Sequence, residues 1–328
     1  MNKKFVFMNI SKVTKESIQK AAGLIKSGEL VAFPTETVYG LGADGLNPDA
    51  VARIFEVKER PSFNPLILHI GDKDQLENIC IVTSEIILKL IDKFWPGPLT
   101  LVIPKKSIVP DIVTSGNETV AIRMPDHPVA LQLIKMSGRP IAAPSANVFG
   151  RLSPTKAGHV YEQLGSKIKM ILDGGDCKVG VESTILQITC EGISLLRPGG
   201  LPVEQLEKIT GKINTEYTDT KPVAPGMLPY HYAPKVPIKF INEIKPEDLI
   251  NKNTGALLFS ENKYGYEFTS IKFLSKQGNL REAAANLFSY LHEFENENID
   301  LIVAEPVPET GLGRAIMDRL KKAAERYT

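Results

Sequence analysis

Cysteine, net charge and long apolar runs are all scarce in this chain. Its three cysteines, Cys80, Cys177 and Cys190, are scattered and form no CxxC pair. That argues against a disulfide framework or a structural zinc site and fits a reducing compartment. Lys and Arg total 39 against 38 Asp and Glu, a formal net charge of +1. A protein that coats nucleic acid nonspecifically carries a large positive excess, so that class is disfavoured, although a local basic patch is compatible with this balance. No segment approaches the roughly 20 apolar residues of a membrane span. The opening MNKKFVFMNISK has too short an apolar run for a signal peptide, and the expectation is a cytoplasmic protein. Familiar catalytic motifs are missing as well: there is no GxSxG, Walker lysine motif or HExxH.

What is present is an enzyme-sized chain. At 328 residues it exceeds what one core usually supports, so two domains are expected. The most informative stretch is residues 30–70. An apolar strand, Leu30-Val31-Ala32-Phe33, stops at Pro34, which cannot donate to a ladder. Thr35-Glu36-Thr37 sits where that strand runs out, and the glycines of Tyr39-Gly40-Leu41-Gly42 allow close backbone approach. A short helix carries Lys58 and Arg60 to its far end, and Asn64 and His69 return on a second apolar strand. Polar residues at strand ends are where α/β proteins build sites.

Periodicity predicts the rest. Residues 14–27 read as a helix with Ile18, Ala21, Ala22 and Ile25 on one face, Thr14 as its cap and Gly28 beyond its end. Further helices are expected near 73–79 and 84–94, after His127-Pro128 with Leu131 and Ile134 in the core, and after a Ser153-Pro154 cap. Strands are expected at 99–103, 119–123, 140–143, 170–172, 183–188 and 193–196. Several follow one another directly, which favours a mixed sheet. The first domain is assigned to residues 1–210. A proline-rich, aperiodic segment at 211–236 contains Tyr230-His231-Tyr232, aromatics that are odd for a mere tether. From 237 to 328, strands and helices alternate again and read as a small doubly wound α/β domain, with Leu280, Ala284, Leu287 and Leu291 on one helical stripe.

The candidate site residues are Thr35, Lys58, Arg60, Asn64, His69, Arg123, Ser145, Asn147, Ser183 and Arg197. Each has an ordinary reading. His69 in an apolar strand is, by itself, more often a satisfied core histidine, and an arginine before a proline is often on the surface. Together, cations and hydroxyls without a nucleophile suit the binding of carboxylates and phosphates. Phosphoryl or nucleotidyl transfer needs such an inventory, because catalysis there is mainly positioning and charge neutralisation.

The motifs PTETVYGLG at 34–42, K-x-R-P at 58–61, NPLILHI at 64–70, TVAIRMP at 119–125, APSAN at 143–147, SPT at 153–155, EST at 182–184 and LLRPGG at 195–200 resemble the YrdC-type domain of threonylcarbamoyl-AMP synthases. The linker APGMLPYHYAP at 224–234 and the α/β tail resemble the longer, two-domain form, with Ala224 where a serine is common. The resemblance implies a YrdC-like twisted mixed sheet with flanking helices and a smaller Rossmann-like α/β C-terminal domain. The implied activity joins L-threonine, bicarbonate and ATP, with magnesium carried on the nucleotide, into L-threonylcarbamoyladenylate and pyrophosphate for tRNA modification. A downstream tRNA threonylcarbamoyl transferase would receive the product. The implied threonine site is Thr35, His69, Arg123, the backbone at Ala143, and Ser183. The implied nucleotide site is Lys58, Arg60, Asn64, Thr119, Ser145, Ser153, Arg197 and Tyr232. No metal ligand and no general base are assigned, although His69 is a candidate for the latter. The linker is expected to cover the cavity as a lid.

Competing readings are an RNA-binding or regulatory YrdC-like protein without this turnover, and a carbamoyl-transfer enzyme of hydrogenase maturation. The second of these also carries an acylphosphatase region and zinc-finger cysteines, which this chain lacks.

Overall fold

The computed structural model describes residues 9–216, 222–228 and 231–327. Tyr230, one of the linker aromatics, lies outside the described residues. Among the described residues, the larger sheet has ten strands. They are β1 (Ile10–Lys12), β2 (Val31–Phe33), β3 (Gly40–Asp44), β4 (Ile67–His69), β5 (Leu99–Pro104), β6 (Thr119–Arg123), β7 (Ile141–Ala142), β8 (Met170–Asp173), β9 (Thr184–Thr189) and β10 (Gly192–Arg197). Their spatial order is β1-β8-β2-β3-β7-β4-β6-β5-β9-β10. The sheet is mixed, as expected. For example, β4 runs parallel to β6, while β3 runs antiparallel to both β2 and β7. The Gly40–Gly42 segment, whose glycines are expected to allow close backbone approach, is the start of β3; it pairs Gly40 with Phe33, and a Cβ on Gly42 would lie 2.8 Å from side-chain atoms of Ile141 and Phe33.

Helices cover both faces. On one, α1 (Lys15–Lys26) packs on α6 (Pro128–Ser137) over Val31, Phe33 and Leu172. Thr14 caps α1 by a reciprocal capping box with Ser17. In α6 the buried leucine is Leu133, whereas Leu131, expected in the core, is half-buried. The other face carries α2 (Pro48–Lys58), α3 (Leu76–Ile79), α4 (Glu85–Phe94), α5 (Asp111–Thr114), α7 (Ala157–Leu164) and α8 (Val203–Thr210). There Val51, Ile54, Leu90 and Leu206 meet Ala32, Leu41 and Leu101. Strand alternation explains the division: Val31 and Phe33 point one way, Leu30 and Ala32 the other. Ser153 does not cap the helix that follows it. Lys156 precedes α7, and the Ser153 hydroxyl is committed to Glu182.

The second sheet joins β11 (Ile238–Phe240), β12 (Thr254–Leu258), β13 (Ser270–Phe273) and β14 (Leu301–Ala304) in the all-parallel order β11-β14-β12-β13. It is not wound on both sides. The helices α9 (Leu280–Asn296) and α10 (Gly313–Glu325) pack together over Leu257, Ile302 and Ala304. The opposite face, with Ala256, Leu258, Leu301 and Val303, is closed by Ile241, Ile244, Tyr264 and Phe268 from connecting segments. Among the described residues the only helix there is the short turn Pro246–Asp248, so loop aromatics do the covering.

The domains meet through both apolar and polar groups: Val38, Leu152 and Val181 join the buried cluster of Leu287, Phe288 and Leu320. Arg151 pairs with Glu295 at 2.6 Å, and the rings of His159 and His292 stack 3.9 Å apart.

Candidate active site

A cavity opens where β4, β6 and β9 end or begin. Its lining includes Thr35, Arg60, His69, Arg123, Ala143, Ser145, Ser183, Arg197 and Tyr232, so nine of the thirteen residues implied from sequence meet in one place. Pro225, Gly226 and His231 of the linker line it too. It encloses only about 40 Å³, room for a few water molecules.

Parallel pairing of β4 with β6 places His69 opposite Arg123. Arg123 is buried, and every nitrogen of its guanidinium is engaged. Nε donates to Gly97 O at 3.2 Å, Nη1 donates to Thr37 Oγ1 at 2.8 Å, and Nη2 lies 2.5 Å from a Glu36 carboxylate oxygen. These contacts set the direction of a hydroxyl chain. The Thr35 hydroxyl donates to Val38 O at 2.6 Å, so across its 2.8 Å contact with Thr37 it is the Thr37 hydroxyl that donates. His69 meets Phe33 edge-on, 6.3 Å between centroids, and its Nδ1 has no partner. Burial, reinforced by the Arg123 charge, pushes its pKa down to about 3, so the ring is neutral at physiological pH. So weak a base suits hydrogen bonding to substrate rather than proton abstraction.

Ser183 sits just before β9. Its hydroxyl lies 2.7 Å from Thr100 Oγ1 and accepts from Arg197 Nη2 at 3.1 Å. Arg197, at the end of β10, also donates from Nε and Nη2 to Ser183 O at 3.1 and 2.9 Å. Arg60 follows α2 and donates to Asn64 O at 3.1 Å and Pro65 O at 2.9 Å, with its guanidinium 5.8 Å from the Phe149 ring centroid.

Lys58, Asn64, Thr119 and Ser153 are not among the cavity-lining residues. The Lys58 ammonium is buried and donates to the carbonyls of Ser145, at 2.5 Å, and Asn147. Burial, then the Arg60 charge, holds its pKa well below the usual lysine range. Asn64 is fully buried with both side-chain amide atoms unpartnered. Thr119 is half-buried at the start of β6, about 13 Å along the strand from Arg123.

Unsatisfied buried polar atoms are concentrated here. Asn64, His69 Nδ1, Asn147 Oδ1, both His231 nitrogens and the Tyr232 hydroxyl have no hydrogen-bond partner. Such atoms are rare in folded proteins and mark places where a ligand completes the bonding. Tyr232 also holds a left-handed backbone, φ 65°, a conformation costly for a bulky residue and common at ligand clamps. Sequence reading missed Glu36, Thr37, Glu182 and Gly226 as site residues. All four stand inside quoted motifs, so the signal was present without an assignment.

Strand ends, three arginines, several hydroxyls and unfilled hydrogen-bonding capacity define an α/β enzyme site for an anionic substrate. The chain belongs to the Sua5/YciO/YrdC family: the family model, described as telomere recombination, matches residues 23–199. A second model, the threonylcarbamoyl-AMP synthase C-terminal domain, matches residues 201–325. Threonylcarbamoyl-AMP synthase from Pyrococcus abyssi is 44% identical, with 97% of each chain covered. The enzyme of the same name from Bacillus subtilis is 46% identical, covering 94% of this chain and 92% of its own. The crystal structure of P. abyssi Sua5 complexed with L-threonine matches with TM-score 0.88 and 43% identity, over 97% of this chain and 96% of that chain.

Proposed function

We propose that this protein is an L-threonylcarbamoyladenylate synthase, a nucleotidyltransferase that joins L-threonine, bicarbonate and ATP. The observation that carries this reading is the meeting of Arg123, Ser183, Thr35 and His69 with Arg60 and Arg197 in one cavity. An amino-acid carboxylate and a polyphosphate both need such donors, in adjoining subsites.

Threonine is held by Arg123 and Ser183 at its carboxylate, with Thr35, neutral His69 and the backbone at Ala143 around it. Its ammonium group and bicarbonate form the carbamate with loss of water and a proton. A carbamate oxygen then attacks the α-phosphorus of ATP, forming a P–O bond as the bond to pyrophosphate breaks. Arg60 and Arg197, with Lys58 once it is released from its carbonyls, neutralise the triphosphate and the departing pyrophosphate. Charge stabilised as it develops is what raises the rate. Asn64, Thr119, Ser145, Ser153 and Tyr232 complete the nucleotide subsite.

Magnesium is assigned to the nucleotide's phosphates. The donors lining the cavity are cationic or neutral, and its carboxylate, Glu182, is tied to Arg319. They therefore fit phosphate rather than a protein-held ion, and the metal supplies further charge neutralisation when bound.

We read residues 1–210 as the catalytic domain, 211–236 as a lid and 237–328 as a separate α/β domain. The small enclosed volume, roofed by Pro225, Gly226, His231 and Tyr232, supports a lid that must lift to admit ATP and then exclude water from a labile adenylate. A tRNA threonylcarbamoyl transferase consumes the product in the cytoplasm. Among the described residues no helix is long and apolar enough to cross a membrane.

The test is pyrophosphate release with ATP, magnesium and bicarbonate, with and without L-threonine and with serine as a control. Release that requires threonine and bicarbonate, and is lost in Arg123→Ala, is the expected result. Threonine-independent behaviour of a folded, nucleotide-binding protein would overturn the reading in favour of RNA binding or regulation.

A further inference from the structure

The cavity wall at Glu182-Ser183 is not held by the catalytic domain alone. Arg319, on α10 of the C-terminal domain, is 1% exposed. Its Nε donates to Glu182 Oε2 at 2.9 Å, and its Nη1 donates to Pro198 O at 2.7 Å. Its guanidinium carbon lies 5.0 Å from the centroid of Tyr232 in the linker. The other Glu182 oxygen accepts from Ser153. One guanidinium thus touches the EST segment, the RPGG turn and the linker.

Those pieces have no slack between them. A Cβ on Gly199 would lie 2.3–2.4 Å from the backbone of Ser183, Glu182 and Thr184, so the turn is pressed directly against the wall. On the next turn of α10, Lys322 donates to Gly226 O at 2.7 Å and holds the roof.

We propose that Arg319 is a positioning residue through which the C-terminal domain completes the active site, holding the Glu182 carboxylate away from Arg197 so that the Arg197 donor capacity left over from Ser183 and Pro225 stays available to the substrate's phosphates. This rests on the synthase reading of the cavity. Glu182 is buried among cations, and Arg319 and Arg197 together keep it ionised against the opposing effect of burial. Removal of Arg319 leaves that carboxylate with Arg197 as its remaining buried cationic partner. An internal carboxylate then competes with phosphate for the guanidinium.

The experiment uses the full-length chain. Affinity for the magnesium complex of adenosine 5′-(β,γ-imido)triphosphate is measured by calorimetry, alongside the KM for ATP in pyrophosphate release. Arg319→Gln should weaken nucleotide binding and raise the KM for ATP at least tenfold. Adding Glu182→Gln to that variant should restore most of the loss, because the competing charge is gone. Glu295→Gln, which weakens the domain interface elsewhere, should leave nucleotide affinity within twofold of wild type. Wild-type affinity in Arg319→Gln, or a loss that Glu182→Gln does not repair, overturns the proposal. If Arg319→Gln fails to fold, Arg319→Lys decides: its single ammonium cannot span Glu182 and Pro198 as the fork does, and unchanged affinity there is equally fatal. Should wild type bind the analogue but release no pyrophosphate, the synthase reading fails while the binding comparison still judges Arg319.

Discussion

The Glu36 carboxylate lies 2.5 Å from Arg123 Nη2, with both side chains almost wholly buried. The arginine assigned to the threonine carboxylate therefore already carries a protein carboxylate on one of its nitrogens. Glu36 fixes the plane of the fork, and Gly97 O and Thr37 fix its remaining edges. Replacing Glu36 by Ala strands a buried cation, at a cost of about 3–5 kcal/mol. The expected result is a lower midpoint in urea unfolding and a raised KM for threonine, read in the same preparation. A variant with unchanged stability would show that the pair is energetically idle.

Ser183 is expected to act chiefly on threonine. Its hydroxyl links Thr100 and Arg197 within the cavity wall. Ser183→Ala should raise the threonine KM by about tenfold, equivalent to roughly 1.4 kcal/mol, the scale of one charge-assisted hydrogen bond. Initial rates at varied threonine and saturating ATP check this, and an equal rise in both KM values would contradict it.

Gly226 has no room for a side chain. Its φ is 88°, and an added Cβ would lie 2.7 Å from Arg197 Cδ and 2.9 Å from the Tyr232 hydroxyl. Gly226→Ala strains the backbone and pushes the roof off Arg197. The outcome expected is a folded protein with at least tenfold lower synthase rate and more ATP hydrolysed per adenylate formed. Inorganic phosphate and pyrophosphate assays on one sample separate the two effects. Tight coupling retained in this variant would remove the water-excluding role from the linker.

Acid should loosen the two domains from each other. His159 and His292 stack across the interface, and burial drives their pKa values down to about 3 and about 4. For His159 the His292 charge adds to burial. Both rings are neutral in the folded protein at pH 7, whereas the unfolded chain takes up protons near 6.5. Their contribution is thus complete above pH 6.5 and is lost as pH falls toward 4 and 3. At pH 5 that is about 2 kcal/mol for each histidine. Thermal melts at pH 7.5 and 5.0 should show a lower Tm at pH 5.0, with a smaller drop in His292→Gln and the remainder belonging to the other buried histidines, His69, His159 and His231. A drop of the same size in that variant would assign the acid sensitivity elsewhere.

Much of the architecture was legible because helix and strand periods are local properties. Thr14 as a cap, the Ile18–Ile25 stripe and the strand at 119–123 follow from neighbours a few residues apart. Misreadings arose where a distant partner decided. Ser153 has the chemistry of a helix cap, yet its hydroxyl serves Glu182, 29 residues on. The tail reads as doubly wound because strands and helices alternate, and only the packing reveals both long helices on one face.

For the site, the sequence by itself determined the inventory: arginines, hydroxyls and a histidine at strand ends, in motifs ordered like those of one family. The tertiary structure alone decided which of them share a cavity, and whether each is free or engaged. It ties Lys58 to two carbonyls, pairs Arg123 with Glu36, and brings Arg319 to Glu182 across 137 residues of chain. A motif records residue types at short spacing. Contacts between elements depend on strand order and domain docking, which are set by the burial of whole faces and are written in no single stretch of sequence.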